Sequence, residues 1–190
     1  MPLSDPTTAH RFEQITAPHL SAAYNLARWL TRNDHDAEDL VQAAFERALK
    51  FFDGFRGGDA RAWLLTIVRN TYYTSLRDSK HESHDVGFDE EVHRYDEDAL
   101  APWPSNGVSL NPETLLAGRD TKRIVNAALE KLPNTFREAV VLKEMEELSY
   151  KEIAEIAGVP IGTVMSRLAR GRKLLLEYLK KHAAGEANGM

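Results

Sequence analysis

Residues 149–176 read SYKEIAEIAGVPIGTVMSRLARGRKLLL. Ser149 followed three residues later by Glu152 is the pattern of a capping box, which satisfies two backbone donors at a helix start. Ala154 is small where a second helix must cross closely. Gly158, four residues on, suits the left-handed turn that ends the first helix. Val164, ten after Ala154, plugs the seam between the two. This spacing predicts a helix-turn-helix whose second helix enters a major groove. On that helix Val164, Leu168 and Leu175 face inward. Thr163, Ser166, Arg167, Arg170 and Lys173 lie on other faces, within reach of bases or phosphates. An ordinary helical hairpin with a solvated basic face has no need of the cap, the turn glycine and the basic face together.

The surrounding sequence is helical as well. Asn111-Pro112 is a cap followed by proline at the first helical position. Leu115, Leu116, Ile124, Val125, Ala128, Leu129 and Leu132 carry a helical period up to Pro133, and a further helix fits 134–146. Towards the N-terminus, DAEDLVQAAFERALKFF (36–52) places Leu40, Val41, Ala44, Phe45, Ala48, Leu49 and Phe52 on one broad face. Asp36, Glu38 and Asp39 crowd its start, where the macrodipole favours negative charge. FDGFRGGD (52–59) is a glycine-rich loop, and Asp59 can cap the next helix, DARAWLLTIVRNTYYTSLR, with a stripe of Trp63, Leu64, Ile67, Val68, Thr71 and Leu76. An earlier helix falls within 8–31, broken or restarted at Pro18. No alternating strand pattern and no internal repeat appears. The expected fold is all-α: two small helical domains, 10–77 and 112–181, joined by a flexible acidic linker, 78–111.

Charge supports that division. The chain has 190 residues and a formal net charge of −5. Residues 78–118 carry ten acids against Lys80 and Arg94, so the rest of the chain is net positive. Six basic side chains lie in 158–181 against the single acid Glu177, the footprint of a surface meant for phosphates. There are no cysteines, which excludes disulfides, thiolate metal sites and cysteine nucleophiles. No apolar run approaches the roughly 18 residues of a bilayer span, and no signal peptide is visible at the N-terminus. A cytoplasmic protein without membrane insertion is expected.

The same segments resemble the extracytoplasmic-function (ECF) sigma factors of the sigma-70 family. SYKEIAEIAGVPIGTVMSRLARGRKLL, preceded by LPNTFREAVVLKEMEEL, is similar to their C-terminal σ4 domain. DAEDLVQAAFERALKFFDGF resembles the σ2 helix that docks on the polymerase clamp, and WLLTIVRNTYYTSLR the helix that engages the promoter −10 element. The resemblance covers about residues 20–77 and 112–178. It implies a dissociable initiation subunit, not an enzyme, with no cofactor or metal. Its implied partners are core RNA polymerase, through the β′ clamp and β flap, promoter DNA, and a separate helical anti-sigma factor, since few residues follow His182. The implied −35 contacts are Thr163, Ser166, Arg167, Arg170 and Lys173. Those to the −10 element are Phe55, Arg56, Arg69, Asn70, Tyr73 and Arg77, the loop 53–58 taking an extruded base. The implied docking set is Asp36, Glu38, Asp39, Leu40 and Gln42, with Asp39 and Leu40 exposed.

Each assignment has a plainer counterpart. Arg69, Asn70, Tyr73 and Arg77 share one side of their helix, and a cation, an amide and an aromatic beside a glycine loop suit single-stranded DNA. Phe55 can instead tuck into the core, and Tyr72 can belong to core edge or DNA face. The acids at 36–39 can simply satisfy the dipole. His81, His84 and His93 are spaced loosely like a metal site, but a solvated acidic tether accounts for the whole segment. At about 34 residues the tether spans widely, since an extended chain covers at most about 3.3–3.6 Å per residue. A response-regulator-type DNA-binding protein would share the helix-turn-helix but requires buried strands in 1–77. A carboxylate-dependent phosphohydrolase would require acids converging from several helices.

Overall fold

The computed structural model describes residues 6–82 and 115–187. Among them every regular element is helical. The N-terminal half comprises α1 (Pro6–Thr16), a 3₁₀ turn (Ala17–His19), α2 (Leu20–Thr31), α3 (Asp34–Lys50), a second 3₁₀ turn (Phe52–Gly54) and α4 (Ala60–Glu82). The C-terminal half comprises α5 (Leu115–Glu130), α6 (Asn134–Val140), a π-helical turn (Val141–Met145), α7 (Tyr150–Ala157) and α8 (Ile161–Ala187). Residues 78–82 continue α4 rather than opening the linker. Residues 83–114, with Asn111 and Pro112, lie outside the described residues, as do His84 and His93; His81 sits in the last turn of α4.

Local chemistry sets the boundaries. Arg32 takes a left-handed conformation (φ 62°) that ends α2. Asn33 then caps α3, its Oδ1 accepting from the backbone N–H groups of His35 at 2.8 Å and Asp36 at 3.3 Å. That cap starts the helix two residues earlier than its acidic run suggests, because the short amide side chain satisfies two orphan donors. Asp59 caps α4 as expected, accepting from the Ala62 N–H at 3.1 Å.

In the N-terminal half α2, α3 and α4 pack around Ala23, Leu26, Leu30, Ala37, Leu40, Ala44, Ala48, Leu64 and Val68. Small residues on α2 and α3 let the helices approach closely. Leu49, placed on the apolar face by periodicity, is exposed, as is Phe51: the α3 stripe turns away from the core as the helix ends. In the C-terminal half α8 crosses α5, α6 and α7, burying Val164 and Leu168 beside Ile153, Ile156, Leu132 and Leu142.

The two halves pack on each other, which the expectation of two domains on a string did not contain. Their buried apolar residues form one continuous cluster, with α4 against α7 and α2 against α6. The physical reason lies on α4, which is buried on two sides. Leu64, Val68 and Thr71 face its own half. Leu65, fully buried, and Tyr72 lie around the helix from them, beside Arg61 and Arg69, which bond to the other half.

Candidate nucleic-acid and polymerase interface

The helix-turn-helix forms as its spacing predicts. The Ser149 Oγ accepts from the Glu152 N–H at 3.2 Å, and the Glu152 carboxylate accepts from the Ser149 N–H at 2.7 Å. Hydrogen bonding to the carboxylate from the Ser149 side chain, and then from the Ser149 backbone N–H, holds Glu152 below the usual carboxylate range. Gly158 ends α7 at φ +65°, a conformation that disfavours any Cβ. Val164 and Leu168 are buried while Lys173 is exposed and Thr163, Ser166, Arg167 and Arg170 are half-buried. The Ser166 hydroxyl donates to the Thr163 carbonyl at 3.0 Å. Arg172, on another side of α8, donates from Nε to Glu144 at 3.0 Å and so ties α8 to the π-helical turn.

On the N-terminal half the glycine loop rises from an aromatic cluster. Phe55 lies 4.8 Å from Trp63 and 6.1 Å from Phe52 between ring centroids, stacked on the latter. Its ring is half-buried, so it packs at the core edge and still borders the loop. Arg56 is exposed, and Gly57 and Gly58 turn the loop at φ +92° and +102°. Asn70 and Arg77 are exposed on α4.

Arg69 and Tyr73 are not presented to solvent with them. The Arg69 guanidinium stacks on the Tyr73 ring at 4.6 Å, and both bind Glu138 of α6. Arg69 Nε donates to Glu138 Oε1, and the Tyr73 hydroxyl donates to Oε2 at 3.1 Å. Burial pushes the Glu138 carboxyl up; the Arg69 charge, hydrogen bonds from Arg69 and Tyr73, and the charge of Arg167 on α8 pull it back. Burial, with Glu138 alongside, also raises the Tyr73 phenol.

A second pair repeats the pattern. Glu146, buried, accepts from Arg61 through Oε2 and from the Asn25 amide at 3.2 Å through Oε1. The π-helical turn and the left-handed Glu147 (φ 54°) that follows aim Glu146 at α4. At the edge of the seam Arg28 lies 3.7 Å from Glu130. The Asn134 amide donates to the Tyr72 hydroxyl at 2.9 Å, and its carbonyl accepts from Arg32 at 3.2 Å. Beneath them the fully buried Arg137 donates to the carbonyls of Glu130 (3.1 Å) and Leu132 (3.2 Å), closing the C-terminal end of α5. Burial, then the charge of Arg32, lower its pKa to about 10. Sequence reasoning missed Glu138, Glu146 and Arg137, since their partners lie far along the chain or on backbone carbonyls.

At the start of α3, Asp36, Glu38, Asp39 and Gln42 are exposed; Gln42 donates to Glu46 at 3.2 Å. Leu40 is buried, 7 % exposed, and belongs to the core. Its placement on an exposed docking surface is therefore corrected: the residue that begins the apolar stripe of α3 faces α2 and α4. No group of three or more histidine, cysteine or acidic residues able to hold a metal ion occurs among the described residues, and no described helix is long and apolar enough to cross a membrane.

A helical unit ending in a glycine loop and a long basic helix, followed by a capped helix-turn-helix, has the layout of a two-part helical DNA-binding protein. Residues 16–82 match the family model for Sigma-70 region 2, and residues 122–175 that for Sigma-70, region 4. The ECF RNA polymerase sigma-E factor of Escherichia coli K12 is 37 % identical over 143 residues, which are 74 % of this chain and 72 % of that one. The ECF RNA polymerase sigma factor SigE of Mycolicibacterium smegmatis is 35 % identical over 176 residues, covering 93 % of this chain and 64 % of the relative. Among solved structures, the sigma factor RpoE of Bartonella quintana, in complex with the anti-sigma factor NepR, aligns with a TM-score of 0.65 and 32 % identity over 90 % of this chain and 97 % of that one. CnrH, in complex with the cytosolic domain of CnrY, aligns at 0.60 and 25 % over 91 % and 90 %. The chain belongs to the ECF sigma factors of the sigma-70 family.

Proposed function

We propose that this sigma factor brings core RNA polymerase to one class of promoter by reading a −35 duplex with α8 and opening a −10 element with α4 and the loop before it. The −35 surface is Thr163, Ser166, Arg167, Arg170 and Lys173. The −10 surface is Phe55, Arg56, Arg69, Asn70, Tyr73 and Arg77: its cations suit phosphates, and its aromatics suit unstacked bases. Exposed Asp36, Glu38, Asp39 and Gln42 form the docking edge for the β′ clamp, held in place by buried Leu40, while the C-terminal half meets the β flap. The protein is not an enzyme; DNA opening draws on binding energy. It acts with polymerase in the cytoplasm and is held by an anti-sigma factor, a partner with which the Bartonella quintana relative is seen in complex.

The observation that carries this reading is the occurrence of both sigma regions, in order, on one chain. Its test is reconstitution: purified protein added to core polymerase should initiate at templates carrying a cognate −35/−10 pair and stop when either element is scrambled. Absence of promoter-dependent initiation over genomic promoter fragments would sink it.

A further inference from the structure

Arg61 and Arg69 stand eight residues apart on α4, and their partners stand eight apart as well, Glu138 on α6 and Glu146 just past the π-helical turn that follows it. The pairs run antiparallel, Arg61 to Glu146 and Arg69 to Glu138. Eight helical residues rise about 12 Å, so the acids of the C-terminal half lie along α4 as a ladder of negative charge. Both carboxylates are almost fully buried, with side-chain exposures of 5 % and 2 %, whereas the arginines keep 31 % and 16 %. A third pair, Arg28–Glu130, has the same polarity. In each, the N-terminal half supplies the cation and the C-terminal half the anion.

We infer that Glu138 and Glu146 form an intramolecular clamp that occupies the arginine strip of α4 in place of DNA, so that the strip serves two mutually exclusive acidic partners. The inference rests on the −10 assignment of Arg69 and Tyr73 above and extends that DNA surface along α4 to Arg61, about two turns before Arg69. Its physics is competition. A buried carboxylate deprived of its guanidinium is strongly unfavourable, so the halves hold together while the strip is intact. Single-stranded DNA offers the arginines an equivalent anion and the Tyr73 ring a base to stack on. Phosphate must displace Glu138 to take the Arg69 Nε and the Tyr73 hydroxyl. Opening exposes Arg69 and Tyr73 and relieves Arg167 of the field of Glu138.

The full chain, free of native cysteines, can be labelled with a donor–acceptor dye pair at Lys50→Cys and Glu177→Cys, one in each half. Glu138→Arg alone and Arg69→Glu alone should lower energy transfer, and the double exchange should restore it. Glu138→Gln and Glu146→Gln should each raise affinity for a single-stranded −10 oligonucleotide by tenfold or more without polymerase. Because Glu138→Arg can unfold α6, the Glu146→Gln arm is read alongside it, with −35 duplex binding as the check that the C-terminal half is folded. Unchanged transfer in folded Glu146→Gln and in Arg69→Glu would overturn the clamp while leaving the −10 assignment standing. Lowered transfer with no gain in oligonucleotide affinity would overturn the competition. Transcription by Arg69→Ala holoenzyme then separates the two: normal use of the −10 element shows that the assignment itself has failed.

Discussion

Gly171 of α8 lies so close to Val140 of α6 that a methyl group at its Cα would sit 2.8 Å from the Val140 Cγ2 and 3.2 Å from the Phe136 carbonyl oxygen. The absence of a side chain lets α8 cross α6 at this depth. The valine is stiff at χ1, and the carbonyl belongs to a helix backbone, so neither can retreat freely.

Gly171→Ala should therefore destabilise the protein despite alanine's better helix propensity. That propensity contributes about 1 kcal/mol in favour, against overpacking of about 1–3 kcal/mol. A fall in thermal midpoint, with unchanged helical content below the transition, is the expected result. A raised midpoint would show that α6 gives way.

What was legible in the sequence was local. Ser149, Glu152, Gly158 and Asp59 each act on backbone groups within four residues, and each does what its type and spacing predict. The docking edge was legible for its acids but not for Leu40, because one residue's turn around α3 separates surface from core. Leu65 carried only a weak signal: adjacent Leu64 and Leu65 point about 100° apart on a helix, which one broad face can also accommodate, so the second cover of α4 was not legible from the pair. Glu138 carried none. Its neighbours along the chain suggest an ordinary surface acid, and its bonds to Arg69 and Tyr73 exist only because α6 is laid over α4.

The capping box invites a stability test. Ser149→Ala should cost about 0.5–2 kcal/mol and fray α7, loosening the platform that seats α8. The sign of its pH dependence follows from Glu152. With its folded pKa depressed, it contributes stability that is present above the ordinary glutamate range and lost as pH falls through the depressed value. Denaturant midpoints followed from neutral pH into that range should fall more steeply for wild type than for Glu152→Gln. Parallel curves would show that the carboxylate contributes nothing through its charge.

Docking and stability should separate at adjacent positions of α3. Asp39 is exposed and Leu40 buried. Asp39→Ala should weaken binding to core polymerase with little change in thermal midpoint. Leu40→Ala should cost about 2–5 kcal/mol of stability through the cavity it leaves. Binding titrations and melting curves on both variants check this. Equal loss of polymerase affinity in both, with Leu40→Ala fully stable, would return Leu40 to the surface.

The last expectation concerns which side chains carry promoter preference. Arg167 and Arg170 lie three apart on α8, Ser166 beside them, on the helix that the turn at Gly158 aims outward. A guanidinium with bidentate reach to guanine discriminates by about 1–3 kcal/mol per contact, whereas phosphate contacts weaken all sequences alike. Arg167→Ala or Arg170→Ala should lower initiation at promoters that need a −35 element, and at least one should flatten the base preference. Lys180 and Lys181, near the far end of the same helix, should behave as phosphate contacts: neutralising them should mainly reduce the salt dependence of binding. The measurement is a −35 base-substitution series transcribed by each mutant holoenzyme at two salt concentrations. Should both arginine variants keep the wild-type preference while losing activity equally on every template, α8 is a phosphate clamp, and sequence is read elsewhere.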